Sequence, residues 1–271
     1  MNYEEKKESL KTFIAQLAPK DIVLAFSGGV DSSLLLKMCS EATAQQGTKV
    51  VAVTILTKLH PMNDIEISKR VAMEAGAEHV VMMVDELDEA GIVMNPTDRC
   101  YRCKRMLFQR IINKAKLMGA GCVMDGTNED DLHVYRPGVK ALAELDVISP
   151  LAKFGFTKQE VRQLAEEYGL SVAQRPSTPC MATRFPYGTK LSYEAMHKAD
   201  EAEQWLREKG FYNVRVRVHG DVARIEVDQL DMERLLTMSK EVTSHLKQLG
   251  YDYITLDMEG FRSGSMDINI K

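Results

Sequence analysis

A six-residue motif constrains the fold more than any other feature of this 271-residue sequence: SGGVDS, at residues 27–32. It follows a short apolar run at Asp21–Phe26 and opens a pattern with helical spacing over Ser32–Gln46. Glycines let backbone N–H groups approach an anion, and the amino end of a helix adds positive partial charge. Ser27 and Ser32 add hydroxyl donors, whereas the lysine of a Walker P-loop is missing. The motif predicts a phosphate-binding loop; a simple glycine turn capped by Ser32 is the alternative.

Strand and helix patterns alternate through the first half of the chain, which predicts a parallel sheet with helices on both faces. The predicted elements after the loop are a strand at Lys49–Leu56, a helix at Ile65–Ala75, a strand at His79–Val84, a helix at Met106–Met118, strands at Cys122–Asp125 and Val147–Leu151, and a helix capped by Thr157 and Glu160. This is an α/β, Rossmann-like arrangement.

A loop rich in proline and hydroxyl residues follows that last helix and predicts a domain boundary. We expect one domain over residues 1–175 and a smaller α+β domain over residues 176–271. The second domain is predicted to hold a helix at Tyr193–Lys209, a hairpin of strands Val214–His219 and Val222–Asp228, a helix near Asp231–Leu249 and a strand at Tyr253–Asp257.

An acidic segment, residues 125–131, directly follows the fourth strand. Ligands bind beyond the carboxyl ends of parallel strands, so its carboxylates could hold Mg²⁺ beside phosphates; a solvated acidic loop is the alternative. Lys104 is a candidate phosphate contact, or else a surface lysine. The predicted nucleotide-binding residues are Ser27, Gly28, Gly29, Asp31, Ser32, Thr54, Lys104, Asp125 and Gly126, with Asp130 and Asp131 as further candidates for Mg²⁺.

Charge and hydropathy exclude several classes of protein. Lys and Arg number 35 against 39 Asp and Glu, a net charge of −4 that disfavours a dedicated nucleic-acid binder. No apolar run reaches the roughly 18 residues of a membrane span, and the charged amino terminus has no apolar signal segment. We expect a cytoplasmic globular protein without a membrane partner.

The five cysteines divide into two groups by position. Cys39 and Cys122 fall on apolar patterns and are predicted to be packing residues. Cys100 and Cys103 form a CxxC pair, which is compatible with a redox disulfide, half of a zinc site or two cluster ligands. Cys180 stands alone in the loop after the predicted boundary. The interpretation that best fits the count is a 4Fe–4S cluster on Cys100, Cys103 and Cys180, with one iron left open.

The hairpin of the second domain places Arg215 and Arg217 on one strand face, because side chains alternate along a strand. Arginine's planar fork matches phosphate and carboxylate groups. The alternative is a solvated face paired with Glu226 or Asp228 on the opposite strand.

Several segments together resemble the LarE family of sulfur transferases, within the PP-loop ATP pyrophosphatase superfamily. They are AFSGGVDSSLLLK, DGTNEDD, YRPGVKA, PC followed by MATRFPYGT, VRVRVHGDVARIEV and TLDMEGFRSG. The resemblance runs from about Asp21 to Gly264, with the same order of two domains. One departure is the Met181-Ala182-Thr183 segment, where more serine is expected.

The resemblance implies a two-step reaction and a set of residues. ATP would adenylate a carboxylate of pyridinium-3,5-biscarboxylic acid mononucleotide, and a sulfur nucleophile would displace AMP; a second round gives the bis-thiocarboxylate of the nickel-pincer cofactor of lactate racemase. Cys180 matches a cysteine that gives up its own sulfur in one branch, whereas the CxxC pair resembles the branch that carries a 4Fe–4S cluster. Substrate binding is implied for Arg184, Arg215, Arg217 and Arg262, and an active-site role for Glu203. The implied partners are sulfide or a sulfur donor and further copies of the chain, with a hexamer as the candidate assembly.

Other functions remain open at this point. A PP-loop tRNA thiolase also pairs a CxxC with a third cysteine, although the net charge argues against it. A nucleotide-binding regulatory module without chemistry is the alternative outside the enzymes.

Overall fold

The structure is a computed structural model that describes residues 1–59, 63–133, 137–175, 179–262 and 264–266, with the backbone alone for residues 63 and 64. The described residues form two compact units. The first comprises Met1–Thr57, Met62–Ala90 and Asp98–Ser177, and the second comprises Lys58–Pro61, Gly91–Thr97 and Thr178–Lys271. Residues 176–178 of the predicted linker lie outside the described residues.

The first unit is built on a parallel sheet in the order β3-β2-β1-β4. Its strands are β1 Ile22–Ala25, β2 Val50–Leu56, β3 Glu78–Met83 and β4 Cys122–Met124. Its helices are α1 Tyr3–Leu17, α2 Val30–Gln46, α3 Asn63–Glu74, α4 Glu86–Glu89, α5 Arg99–Leu117, α6 Pro137–Glu144, α7 Pro150–Lys153 and α8 Lys158–Glu167. Ile22 aligns with Val50 on one side and with Cys122 on the other. The α/β prediction with a parallel sheet is therefore confirmed.

Alternating side chains of β1 explain why helices cover both faces of the sheet. Ile22 and Leu24 pack into one hydrophobic cluster with α1, α2 and α8, whereas Val23 packs into a second cluster with α5 and α6. A strand buried on both faces reads as a continuous apolar run, as β1 and β2 do.

Two local predictions for this unit need correction. The predicted fifth strand at Val147–Leu151 is reduced to one bridge, in which Ile148 pairs with Met124 before Pro150 starts α7. Helix α5 begins at Arg99, seven residues before the predicted start, so it includes the CxxC pair. The capping box at Thr157 is as predicted: its side chain accepts from the N–H of Glu160.

The second unit is a small α+β domain, as predicted. Its elements are α9 Tyr193–Glu208, β5 Val214–His219, β6 Val222–Val227, α10 Met232–Thr237, α11 Ser239–Gln248 and β7 Tyr253–Leu256. Strands β5 and β6 form an antiparallel hairpin, and β7 adds in parallel to β6. The prediction of one helix over Asp231–Leu249 is wrong, because Met238 separates α10 from α11.

Cys39 and Cys122 are packing residues in this structure. Cys39 is fully buried in the core, and Cys122 packs against the same cluster. Burial raises the pKa of both thiols, so both stay protonated at neutral pH. Separately, among the described residues no helix combines the length and apolar character needed to cross a bilayer.

Candidate active site

The phosphate-loop motif forms a tight turn between β1 and α2. Its two serine hydroxyls lie 3.3 Å apart, and Ser32 Oγ donates to the carbonyl of Gly29 over 3.2 Å. The N–H of Gly29 donates to Ser27 Oγ over 3.3 Å. Gly29 is the N-cap of α2, so the amino end of this 17-residue helix opens directly at the loop. These features supply the backbone donors and positive helix end that a phosphate needs.

Two glycines are required by the backbone geometry around this loop. Gly28 has φ of +70°, and a Cβ there would lie 3.1 Å from the Cα of Ser68. Gly126 follows β4, and a Cβ there would lie 2.9 Å from the backbone N of Ser32. Because β1 and β4 are neighbours in the sheet, the two loops meet at its carboxyl edge. The structure thus brings the predicted residues of both loops together.

Asp31, in the first turn of α2, links the loop to two other segments. Its Oδ1 accepts from Asn128 Nδ2 over 2.8 Å, and its Oδ2 forms an ion pair with Lys158 Nζ. Lys158 is the first residue of α8, and its N–H donates to Asp130 Oδ2 over 2.8 Å. The loop, the acidic segment and α8 therefore share one polar cluster.

A second carboxylate lies on the same edge. Asp125 is 4% exposed and accepts from the hydroxyls of Thr127 and Ser149, each over 2.5 Å. Lys104 Nζ lies 3.7 Å from its Oδ2. The predicted phosphate contact Lys104 is thus next to the predicted Mg²⁺ ligand Asp125, although it lies on α5.

Thr54 stands on β2 with its hydroxyl engaged within the sheet. It donates to the carbonyl of Phe26 over 2.7 Å and lies 2.8 Å from His79 Nε2. The Thr54 hydroxyl thus connects β2 to β3 and to Phe26, the residue that follows β1 and precedes the phosphate loop.

Cys100 and Cys103 lie at the amino end of α5. A spacing of three residues places their side chains on neighbouring positions of one helix face. Cys100 is exposed and Cys103 half-buried, and both are thiols that form no disulfide. Within the described residues, no group of three or more His, Cys, Asp or Glu side chains is arranged to hold a metal ion.

Cys180 belongs to the second unit and precedes a 3₁₀ turn at Met181–Arg184. Thr183 fastens this turn: its Oγ1 donates to the carbonyl of Cys180 over 2.8 Å and accepts from Arg184 Nη1 over 2.8 Å. The carbonyl of Thr183 accepts from Arg217 Nη1 over 3.0 Å. Two of the predicted arginines therefore hold the cysteine turn in this structure.

Glu203 of α9 is fully buried and accepts four hydrogen bonds. Arg184 donates through Nε and Nη2 over 2.7 and 2.8 Å, while Arg207 Nη2 and the N–H of Val216 donate over 2.7 and 3.0 Å. Burial would raise the pKa of Glu203, but the charge and hydrogen bonds of Arg184 outweigh it and the pKa lies below its usual range. The carboxylate is therefore ionised and connects α9, β5 and the cysteine turn.

Arg217 and Arg262 are also paired with carboxylates. Arg217 donates twice to Glu226 Oε2, over 3.0 and 2.8 Å. Arg262 lies 3.4 Å from Asp257 and 2.6 Å from Glu259.

Arg215 is different from these three arginines. Among the described residues no carboxylate lies within ion-pair distance of it, and its guanidinium sits 5.1 Å from the ring centre of Phe261. Burial and the charge of Arg184 lower the pKa of Arg215 to about 10. Of the four predicted anion-binding arginines, Arg215 is therefore the one whose positive charge is least compensated by the described residues.

Sequence reasoning missed the roles of Lys158 and Asn128, whereas the hydroxyl of Thr183 had been noted beside Cys180. Asn128 lies within the acidic segment, residues 125–131, so its position beside the phosphate loop could have been predicted. Lys158 follows the capping residue Thr157, a position that ordinarily indicates only the start of a helix. No sequence signal indicated that this lysine reaches Asp31.

A PP-loop domain family matches residues 2–132. The pyridinium-3,5-bisthiocarboxylic acid mononucleotide synthase of Lactiplantibacillus plantarum is 36% identical over 262 residues, covering 97% of this chain and 94% of that protein. The chain belongs to the LarE family. An uncharacterized protein of Synechocystis is 34% identical over 97% of both chains, and one of Methanocaldococcus jannaschii is 30% identical over 90% of this chain and 92% of its own.

A likeness to tRNA-specific 2-thiouridylases is more limited. The Rickettsia prowazekii enzyme is 29% identical over 196 residues, which cover 58% of this chain and 53% of that enzyme. The LarE relatives named above match over nearly their whole length, both units included. The chain is therefore a PP-loop enzyme of the LarE type, an ATP-dependent sulfur transferase.

Proposed function

We propose that this protein converts the two carboxylates of pyridinium-3,5-biscarboxylic acid mononucleotide to thiocarboxylates, for the nickel-pincer nucleotide cofactor of lactate racemase. The observation that carries the proposal is the 36% identity, across both units, to a pyridinium-3,5-bisthiocarboxylic acid mononucleotide synthase. The phosphate loop at the carboxyl edge of the sheet supports it, since the reaction requires ATP. We further propose a homo-oligomer that works in the cytoplasm.

The first unit would carry out the adenylation. A carboxylate is a poor electrophile, and transfer of AMP from ATP makes it an acyl-adenylate with AMP as leaving group while pyrophosphate departs. The loop N–H groups, Ser27 and Ser32 would bind the pyrophosphate oxygens. Lys104 and Lys158 are partly exposed, with side chains 37% and 33% accessible, so each could exchange its aspartate for a phosphate oxygen.

Mg²⁺ fits the carboxylates at this edge. Asp31 and Asp125 supply carboxylate oxygens next to the loop, which are ligands that Mg²⁺ prefers. Their oxygens accept hydrogen bonds here but keep lone pairs that could also coordinate a metal ion. Bound there, Mg²⁺ would neutralise part of the charge that develops on pyrophosphate.

The second unit would deliver sulfur and bind the substrate. Cys180 is the candidate nucleophile or sulfur-bearing residue, and Arg215 is the candidate contact for the substrate phosphate or carboxylate. Arg262 is 30% exposed and could join it. Glu203 enters the proposal as a positioning residue, because its oxygens already accept four hydrogen bonds and it touches the cysteine turn through Arg184.

We propose that Cys100, Cys103 and Cys180 hold a 4Fe–4S cluster. The CxxC pair fits two ligands of such a cluster, since both thiols lie one turn apart at an accessible helix end. Held by three thiolates, the cluster would supply an iron without a protein ligand, where sulfide can bind. Arg102 lies between the two cysteines in the sequence and Lys104 follows Cys103, so both would offset the negative charge of the cluster.

One experiment separates the two halves of the reaction. Under anoxic conditions, with ATP, Mg²⁺, sulfide and the biscarboxylate substrate, we expect AMP and pyrophosphate release together with replacement of carboxylate oxygen by sulfur in the mass spectrum. Cys180→Ala should retain pyrophosphate release and lose sulfur incorporation, whereas Ser32→Ala should slow both. Absence of substrate-dependent pyrophosphate release in the wild-type protein would contradict the proposed function.

The alternative to sulfur delivery by a cluster is a sacrificial route, in which Cys180 loses its own sulfur and becomes dehydroalanine. Iron and sulfide analysis of the anaerobically purified protein, with its absorption spectrum, distinguishes them. The cluster proposal expects Cys100→Ala, Cys103→Ala and Cys180→Ala each to abolish the cluster. An iron-free protein that transfers one sulfur per chain and whose mass falls by one H₂S would favour the sacrificial route.

The likeness to tRNA 2-thiouridylases makes tRNA thiolation the second candidate. The net charge of −4 disfavours binding of a polyanion. Thiolated nucleoside in tRNA incubated with the enzyme, ATP and sulfide would establish that candidate in place of the first.

A further inference from the structure

Helix α5 is the most strongly charged element of the first unit. Its 19 residues include seven basic and no acidic side chains, in a chain whose net charge is −4. The basic residues are Arg99, Arg102, Lys104, Arg105, Arg110, Lys114 and Lys116. Charge segregation of this degree within one helix does not follow from the overall composition.

Five of these cations lie on one half of the helix. At about 100° per residue, Arg102, Arg105, Arg110, Lys114 and Lys116 cover roughly half of its circumference, opposite the side buried against the sheet. We call them the basic face. All but the half-buried Lys114 are exposed.

Two members of the basic face are neutralised locally and three are not. Arg102 pairs with Asp98, and Arg110 pairs with Glu89. For Arg105, Lys114 and Lys116, no carboxylate lies within ion-pair distance among the described residues. The face therefore keeps a surplus of positive charge.

The helix dipole explains only part of this placement. Lys114 and Lys116 lie in the last turn of α5, where cations are stabilised by about 0.3–1 kcal/mol each at the surface. The first turn contains Arg99 and Arg102 and no acidic residue, although acidic residues are preferred there. Arg105 and Arg110 lie between the two ends, where the dipole has little effect. The continuous row of cations is therefore not accounted for by the dipole alone.

Leu117 adds an apolar group to the same side. It lies next to Lys116 at the carboxyl end and is 86% exposed. From Arg102 to Leu117 the helix rises about 22 Å, so the basic face is long enough to contact several residues of a partner. Leu117 by itself is an ordinary exposed residue, and it would add one apolar contact to an otherwise charged surface.

We propose that the basic face is a docking surface for an acidic protein, which it guides to Cys100 and Cys103 at the amino end of the same helix. Charge complementarity accelerates such an encounter and selects the partner. A nucleic acid is the weaker candidate, because the surplus charge is confined to one helix of an acidic chain. That the docked protein brings sulfur to the thiols rests on the proposed function; the docking does not.

The test uses labelled poly-L-glutamate as the acidic probe and fluorescence anisotropy as the measurement. We expect the full-length protein to bind it at low salt, with affinity falling as salt is raised. The variant R105Q/K114Q/K116Q should bind at least about tenfold more weakly. The matched control K11Q/K69Q/K198Q removes two exposed lysines, from α1 and α3, and one half-buried lysine, from α9, and should bind as the wild type does.

A second measurement locates the probe. In the Cys180→Ala background, bound poly-L-glutamate should slow alkylation of the exposed Cys100, and R105Q/K114Q/K116Q should remove this protection. Both triple variants should keep the pyrophosphate release of the parent, so a failure of docking is distinguishable from a failure of the proposed function.

Four outcomes would overturn the proposal: no binding at low salt, equal weakening in the control variant, tighter binding of total tRNA than of poly-L-glutamate at matched salt, or a change in oligomeric state of R105Q/K114Q/K116Q. The third would assign the face to nucleic acid, and the fourth to a second copy of the chain.

Discussion

The ion pairs beside the phosphate loop and those beside the cysteine turn differ in their exposure to solvent. At the sheet edge of the first unit, the side chains of Lys158 and Asp31 are 33% and 18% exposed. In the second unit, those of Arg184 and Glu203 are 1% and 0% exposed, and those of Arg217 and Glu226 are 6% and 0% exposed. The pair beside the phosphate loop is within reach of solvent, and the two pairs beside the cysteine turn are buried.

The difference separates groups that can change partners from groups that hold geometry. A partly exposed lysine can leave its carboxylate for a phosphate at little cost, because water stabilises both charges during the exchange. A buried pair cannot separate, since each unpaired charge would lose several kcal/mol of solvation. We therefore assign ligand exchange to the first cluster and positioning of the cysteine turn to the second.

Breaking the buried pair should have the largest effect. Glu203→Gln removes the charge that compensates Arg184, and we expect a loss of about 3–5 kcal/mol in the free energy of unfolding. Denaturant unfolding followed by circular dichroism measures it. The double variant R184M/E203M, which removes both charges, should be more stable than E203Q. Equal stability of E203Q and the wild type would show that the pair does not hold the second unit together.

Breaking the exposed pair should alter catalysis and spare stability. Lys158→Met should leave the midpoint of unfolding nearly unchanged, because the pair is partly exposed. A charge-assisted bond to phosphate contributes about 1.5–3 kcal/mol, so pyrophosphate release at low ATP should fall about 10- to 100-fold. Lys158→Arg should retain part of the rate. Lys153→Met, at an exposed lysine of α7 that contacts Phe13, is the matched control and should keep the wild-type rate of pyrophosphate release.

Much of the fold could be predicted from local patterns. Apolar runs such as Val50–Leu56 could only be buried strands, and the Thr157 capping box marked a helix start. The failures involve tertiary context. A single bridge at Ile148 cannot be distinguished from a turn in the sequence. The apolar pattern of the predicted strand Val147–Leu151 continues past Pro150, which in the structure starts a helix. Met238 interrupts a pattern that is helical on both sides.

The candidate site could be predicted where its residues are adjacent in the sequence, as in the phosphate loop and the segment after β4. Pairings between distant residues were not, because spacing along the chain does not specify them. The Asp31–Lys158 pair spans 127 positions. The sequence did offer Glu226 as an alternative partner for the hairpin arginines, and Arg217 pairs with it. It gave no sign of the carboxylate partners of Arg184 and Arg262.

The hydroxyl of Thr183 tests whether the buried network acts on Cys180. Thr183→Val keeps the shape but removes a bond to the Cys180 carbonyl and leaves Arg184 Nη1 one acceptor short, a cost of about 1–3 kcal/mol. We expect a lower kcat for sulfur transfer, an unchanged KM for ATP and a shifted pH profile of Cys180 alkylation. Thr183→Ser should restore all three. A loss of stability without any change at Cys180 would limit Thr183 to a structural role.

Arg215→Met should have a small effect on stability, because Arg215 differs from the buried, paired arginines. Arg184 and Arg217 are buried against carboxylates, whereas Arg215 is half-buried and, among the described residues, has no carboxylate within ion-pair distance. Burial and repulsion from Arg184 lower its pKa to about 10. Arg215→Met removes a hydrogen bond to the Val214 carbonyl and the contact with Phe261, but it also removes a charge that burial disfavours, so the free energy of unfolding should change by about 1 kcal/mol or less.

Binding should depend on Arg215 far more than folding does. A guanidinium that the described residues leave without a carboxylate partner is ready for an anion, and its bond to a phosphate is charge-assisted. Thermal shift with the mononucleotide substrate measures this: the wild-type protein should be stabilised by ligand, and R215M should not. Arg234→Met, an exposed arginine on α10, should retain the full shift. If R215M unfolded as readily as E203Q, Arg215 would belong with the positioning network, and the division between exchanging and fixed charges would have to be drawn elsewhere.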